Sequence, residues 1–140
     1  MNKTQKQNEA PVLKVLIVDD TASVRVLVKE YLRRNENIIV GEAENKDEAL
    51  SQTKEFTPDV ILMDISLDGI NGVEVTRQIK SDYPHIRVYL FSAYNVDEYR
   101  NIKTDTLCDG FIQKSSLKIE LQQMIQTELK RKEASQVIKS

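Results

Sequence analysis

Lys14-Val15-Leu16-Ile17-Val18-Asp19-Asp20 is the stretch from which the rest of the chain is best read. It is an unbroken aliphatic run, mostly β-branched, that stops abruptly at two carboxylates. A short run without polar alternation suits a strand covered on both faces, the environment of a central strand in a parallel sheet. The same design recurs in Val60-Ile61-Leu62-Met63-Asp64, and again in Ile86-Arg87-Val88-Tyr89-Leu90-Phe91, which leads into Ser92. A shorter segment, Gly110 to Gln113, leads into Lys114, and Ile38 to Ala43 reads as a further strand with no comparable polar end.

Helical spacing fills the intervals between these runs. From Thr21 to Arg34 the apolar residues Val24, Leu27, Val28, Tyr31 and Leu32 share one face, and Asn35-Glu36-Asn37 ends the helix. A second helix is expected from Asp47 to about Glu55, and a third carries Val73, Thr76 and Ile79 after a loop from Ile65 to Asn71. A weaker one is expected over about 96–103. The last begins near Leu117, with Leu121, Met124, Ile125 and Leu129 on one side. Five strand–helix repeats predict an α/β fold: a doubly wound, five-stranded parallel sheet with helices on both faces. In such sheets chemistry gathers at the carboxyl ends of the strands.

Composition narrows the function classes. The 140 residues are 40% hydrophobic and 30% charged with a net charge of −2, an ordinary globular balance. No global basic field is present to hold a phosphate backbone, so direct nucleic-acid binding by this domain is not expected. No apolar run is long enough to span a bilayer, and Met1 to Pro11 has no signal-peptide core, so a cytoplasmic protein is expected. We divide the chain into a disordered leader (1–11), one domain (12–130) and a C-terminal tail or linker (131–140). Lys130-Arg131-Lys132 reads as a solvated helix end, where cations suit the dipole. The single cysteine, Cys108, reads as a small buried residue, and the single histidine, His85, as a surface residue in a turn.

The strand ends carry the chemistry. Asp19, Asp20 and Asp64 from two strands converge on one small volume, where mutual repulsion and burial both penalise their charges. A hard divalent cation relieves both, and clustered carboxylate oxygens are what Mg²⁺ prefers. Taken singly, each carboxylate is as well explained as a loop or capping residue, and Asp20 before Thr21 is placed to cap the first helix. Together with Ser92 and Lys114 they describe a phosphate-and-metal site. Asp64 is the natural nucleophile, Lys114 and Ser92 serve the phosphoryl oxygens, and Ser66 is placed to lend its main-chain oxygen to the metal.

At Lys14–Asp20 (KVLIVDD), Asp59–Gly72 (DVILMDISLDGING), Val88–Tyr94 (VYLFSAY) and Asp109–Lys114 (DGFIQK) the chain resembles the receiver domains of two-component response regulators. The resemblance spans about residues 12–130. It implies a flavodoxin-like receiver fold that takes a phosphoryl group from a histidine kinase or a phosphotransfer protein. It implies phosphorylation at Asp64, metal binding by Asp19, Asp20, Asp64 and the Ser66 main-chain oxygen, and Mg²⁺ as the cofactor, with Mn²⁺ as an alternative ion. Ser92 matches the switch hydroxyl, Lys114 the family's lysine and Phe111 the aromatic switch, for which plain core packing is the alternative. Ser66, two residues past Asp64, and Tyr94, two past Ser92, are expected to flank the path of hydrolytic water and so to modulate dephosphorylation, with a bulky Tyr94 shielding the acyl phosphate; a surface tyrosine without a kinetic role is the alternative at 94. The family also implies a face of the fourth helix, fifth strand and fifth helix that shifts on phosphorylation and serves homodimers.

Two departures from the family pattern stand out. Many relatives carry Met-Pro-Gly after the acceptor, whereas this chain has Leu67-Asp68-Gly69, which removes a proline and adds a carboxylate near the site. Ser115 replaces the proline that often follows the lysine, which disfavours a cis bond there. Lys114-Ser115-Ser116 resembles receivers that precede a LuxR-type helix-turn-helix domain, so this chain is either a stand-alone module or the receiver part of a DNA-binding regulator. A haloacid-dehalogenase-like phosphohydrolase is the enzymatic alternative. It requires a second Asp two residues after the first, where this chain has Ser66.

Overall fold

The computed structural model describes residues 11–92 and 108–139. The expected helix at 96–103 and Tyr94 lie outside the described residues. Five parallel strands form one sheet: β1 (Leu13–Val18), β2 (Ile38–Ala43), β3 (Val60–Asp64), β4 (Arg87–Ser92) and β5 (Gly110–Gln113), in the order β2-β1-β3-β4-β5. The three runs that read as covered on both faces are the three inner strands, and every residue of β3 is buried. Strand β2, whose end carries no site residue, lies at an edge and is mostly half-exposed.

Side chains alternate along each inner strand and feed two separate cores. On one face Val15, Ile17, Leu62 and Phe91 pack with Val28 and Leu32 of α1 (Ala22–Leu32). Leu121, Met124 and Ile125 of the last helix, α4 (Leu117–Lys139), complete that core. On the other face Leu16, Val18, Ile61 and Met63 pack with Ala49 of α2 (Lys46–Phe56) and with Val73 and Ile79 of α3 (Gly72–Asp82). The sheet is therefore doubly wound, as the strand–helix alternation requires.

Several details depart from the sequence reading. Leu27, counted on the apolar face of the first helix, is 44% exposed, because Val28 and Leu32 already fill that side of the core. The last helix does not end at Lys130-Arg131-Lys132. Residues 131–139 contain no Gly or Pro, and the helix continues through them to Lys139. Lys132 is not a solvated helix end either: its ammonium donates to the Val12 carbonyl and to Asp59 Oδ2 at 2.8 Å. Between β3 and α3 the expected loop contains a two-residue ladder, Ser66↔Asn71 and Leu67↔Ile70, turned by Asp68 and Gly69. Cys108 is half-buried beside the second core, and His85 is exposed as expected.

At the amino ends of the strands a charged network joins α3, β4 and α4 through Asp109, the residue before β5. Glu128 of α4 is 3% exposed and accepts from the Tyr89 hydroxyl and from Arg87 Nε at 3.1 Å. Arg87 Nη1 also donates to Asp109 at 2.9 Å, and the nearly buried Lys80 of α3 donates to Asp109 at 3.0 Å. Burial, together with the carboxylate of Glu128, pushes the Tyr89 hydroxyl well above its usual range. A buried ion network of this kind is costly to break from one side, because the remaining partner keeps its desolvation penalty. Glu128→Ala is expected to destabilise the fold by about 2–4 kcal/mol, leaving Arg87 Nε and the Tyr89 hydroxyl without their acceptor. Urea denaturation measures this, with Glu128→Gln losing less because it keeps an acceptor and the packing.

Candidate functional site

The carboxyl ends of the strands meet as the sheet register dictates. Val18 pairs with Met63 and Asp64 with Phe91, so the residues that follow β1 stand beside the last residue of β3. Ser92 ends β4 one position past the partner of Asp64 and pairs with Gln113, and Lys114 follows at once. One carboxylate oxygen from each of Asp19, Asp20 and Asp64 lies within 4.8 Å of the others. Lys114 Nζ stands 3.1 Å from Asp19 Oδ2 and 3.7 Å from Asp64 Oδ1, over the face of Phe91 at 4.9 Å from its centroid.

The three carboxylates sit in different surroundings. Asp19 is fully buried, and its Oδ1 accepts from the Thr21 amide at 2.8 Å. Its Oδ2 lies close to Lys114 yet receives no directed hydrogen bond among the described residues. Asp64 is 6% exposed and accepts from the Ser66 amide at 3.3 Å. Asp20 is exposed and accepts from the Asp68 amide at 3.2 Å. Asp20 therefore does not cap the first helix. The N-cap is Thr21, which makes no side-chain cap, and Asp20 is turned toward the loop instead.

Among the described residues, one ammonium faces three carboxylates. The strain shows at Asp64. Burial first, then the carboxylate of Asp19, pushes its carboxyl up from 3.8 to about 6, while Lys114 and the Ser66 amide pull the other way. A buried carboxylate oxygen with no directed donor, inside an all-oxygen cluster, fits a hard divalent cation. Asp19, Asp20 and Asp64 are the side chains that could hold one.

Some supports of the site were not singled out from sequence. Arg25 on α1 donates from Nη1 to the Asp19 carbonyl at 2.6 Å and from Nε to Glu42 at 3.1 Å. Lys29, and with it Arg25, holds the Glu42 carboxyl below its usual range. Gly72 opens α3 so close to Asp64 that a Cβ there would stand 2.0 Å from the Asp64 carbonyl oxygen. Asn71 caps that helix by accepting from the Val73 amide at 2.9 Å. Phe111 is half-buried and packs beside the second core. Asp68 does lie next to the site, but by its main chain; its carboxylate is not one of the three clustered groups. No cis peptide bond occurs among the described residues, in keeping with Ser115 in place of proline.

Residues 15–126 match the family model described as the response regulator receiver domain. The chain belongs to that family. It is 38% identical over 105 residues to the response regulator protein VraR of Staphylococcus aureus and 37% identical to that of Staphylococcus saprophyticus. Each match covers 74% of this chain and 50% of the relative, so the chain spans about half the length of the curated relatives it matches. Among solved structures, the response regulator TrrA of Thermotoga maritima, in complex with Mg²⁺ and BeF, is 30% identical with a TM-score of 0.74. That match covers 84% of this receiver and 99% of TrrA. A LuxR-family response regulator from an Aurantimonas species is 29% identical with a TM-score of 0.77, covering 84% and 85% of the two chains. No helix among the described residues is long and apolar enough to cross a membrane.

The raised Asp64 carboxyl has a stability consequence whose sign is fixed. A carboxyl that ionises less readily in the folded state than in the unfolded one costs nothing below about pH 4. The cost grows between about pH 4 and 6 and is complete above that. Asp64→Asn is therefore expected to stabilise the cation-free receiver at pH 7.5 by on the order of 1–3 kcal/mol, with the gain vanishing near pH 4. Urea denaturation in chelator across that pH range measures it. An Asn variant no more stable than wild type at pH 7.5 contradicts the charge strain.

Proposed function

We propose that this receiver accepts a phosphoryl group on Asp64 from a histidine kinase or a phosphotransfer protein and thereby switches a protein-interaction face. The observation that carries the reading is the convergence of the Asp19, Asp20 and Asp64 carboxylates with the Lys114 ammonium at the end of the central strand. Asp64 is the acceptor because it alone of the three is a strand residue, the last of the central strand, in register with Phe91. Asp19, Asp20, Asp64 and the Ser66 carbonyl would hold Mg²⁺, or Mn²⁺ in its place. When bound, the ion supplies positive charge to the equatorial oxygens of the transferring group.

An Asp64 carboxylate oxygen attacks phosphorus in line. The new O–P bond forms as the donor's P–N bond breaks, and the electron pair leaves with the donor imidazole. Lys114 can follow the charge as it moves from the carboxylate to the phosphoryl oxygens, since its ammonium already lies within 4 Å of both Asp19 and Asp64. Ser92, 5% exposed at the end of β4, donates its hydroxyl to a phosphoryl oxygen. Its movement toward that oxygen opens space into which Phe111 turns. Ser66 and Tyr94 would set the lifetime of the acyl phosphate. The face around the fourth family helix, β5 and the last helix then serves a homodimer or another partner.

A second reading, favoured by the half-length coverage of the VraR proteins, makes this chain the receiver part of a cytoplasmic DNA-binding transcriptional regulator. In it, residues 12–130 form the receiver and the end of the last helix leads toward the output domain. Both readings share the chemistry at Asp64. Incubation with acetyl phosphate and Mg²⁺ is expected to add about 80 Da to the intact mass of wild type and nothing to Asp64→Asn. No gain in wild type, or an equal gain in the variant, contradicts Asp64 as acceptor.

A further inference from the structure

The loop after the acceptor differs from the proline-bearing form of the family at Asp68, and the structure gives that difference a consequence. Asp68 and Gly69 have φ of +48° and +78°, the two left-handed positions of a tight hairpin turn for which Asp-Gly is well suited. The turn closes the Leu67↔Ile70 ladder, and Leu67, fully buried, anchors it in the second core. Asn71 and Gly72 fix the other end, with the Gly72 amide donating to the Ile65 carbonyl at 2.6 Å. So held, the hairpin presents the Asp68 amide to Asp20 Oδ2 at 3.2 Å. A proline could do neither: its φ is confined near −65°, and it has no N–H.

Asp20 is the carboxylate of the cluster that most needs holding. It is exposed, it lies within 4.8 Å of two other carboxylates, and repulsion drives it outward. Asp19 is tied by Thr21 and Lys114, and Asp64 by Ser66, whereas the Asp68 amide reaches Asp20 from forty-eight residues away. We propose that this main-chain amide is a positioning group for Asp20, keeping its carboxylate over the cluster and so setting the affinity of the site for a divalent cation. The inference rests on the phosphoacceptor reading above for the presence of the ion. It assigns the effect of position 68 to the amide and the turn, and not to the added carboxylate.

The test is calorimetric titration of the full chain with MgCl₂. A β-branched side chain at φ +78° is strained, so Gly69→Val opens the turn. It is expected to weaken Mg²⁺ binding about tenfold or more, the usual effect of losing a group that orients a metal ligand. Asp68→Asn keeps both the left-handed turn and the amide, and is expected to stay within about threefold of wild type. Equal binding by Gly69→Val and wild type overturns the proposal, as does a loss in Asp68→Asn as large as that in Gly69→Val. Absence of Mg²⁺ binding in wild type itself contradicts the phosphoacceptor reading instead. Should Gly69→Val fail to fold, the Asp68 amide resonance in ¹⁵N–¹H spectra decides. In Asp20→Ala it is expected to move upfield and exchange faster, and an unchanged resonance overturns the proposal.

Discussion

The ammonium of Lys114, held against Asp19 and facing Asp64, is the interaction on which the site depends. Among the described residues one ammonium faces three carboxylates gathered at the end of a sheet, and their charges are strained. A fold selected for stability alone would replace such a cluster with apolar side chains, since buried charges seldom return what their desolvation costs. Here the cost is concentrated at Asp64, whose carboxyl is pushed up toward 6, and a bound cation would relieve it. The same electrostatics that burden the cation-free domain prepare it to bind positive charge.

The remainder of the fold makes that cluster tolerable. Two cores on opposite faces of the sheet fix the inner strands, so the strand ends cannot splay apart to relieve repulsion. Arg25 holds the main chain at Asp19, Gly72 lets α3 start against the carbonyl of Asp64, and the Asp68-Gly69 turn reaches back to Asp20. At the opposite end of the strands, the Arg87, Asp109, Glu128 and Tyr89 network ties α4 to the sheet. The acidic end thus carries the strained charge, and the other end carries paired charge.

Much of this was legible in the chain itself. Unbroken aliphatic runs identified the inner strands because a strand covered on both faces has no polar alternation to show. The residue after each run identified the site, because parallel strands point the same way and end together. What was hidden depended on contacts between distant residues. Glu128 lies 41 positions from Arg87 and reads locally as a surface glutamate on a helix. Gly72 was visible only as part of a motif, and its necessity appears when the Asp64 carbonyl is seen beside it. Leu27 read as core because helical spacing predicts a face without saying how wide the core beneath it is. The last helix was ended too soon because charged residues were taken for a tail, although nothing among them breaks a helix. Asp68 was noticed for its side chain, while its amide makes the contact.

The central claim is that Asp64 is a charge-strained acceptor in a site built to receive a cation. Its side-chain carboxyl ¹³C resonance, titrated with pH in the presence and absence of Mg²⁺, tests this most directly. Without the ion the midpoint is expected near 6, and saturating Mg²⁺ is expected to drive it below the ordinary carboxylate value of 3.8. An ordinary midpoint in chelator, unmoved by Mg²⁺, would contradict the account.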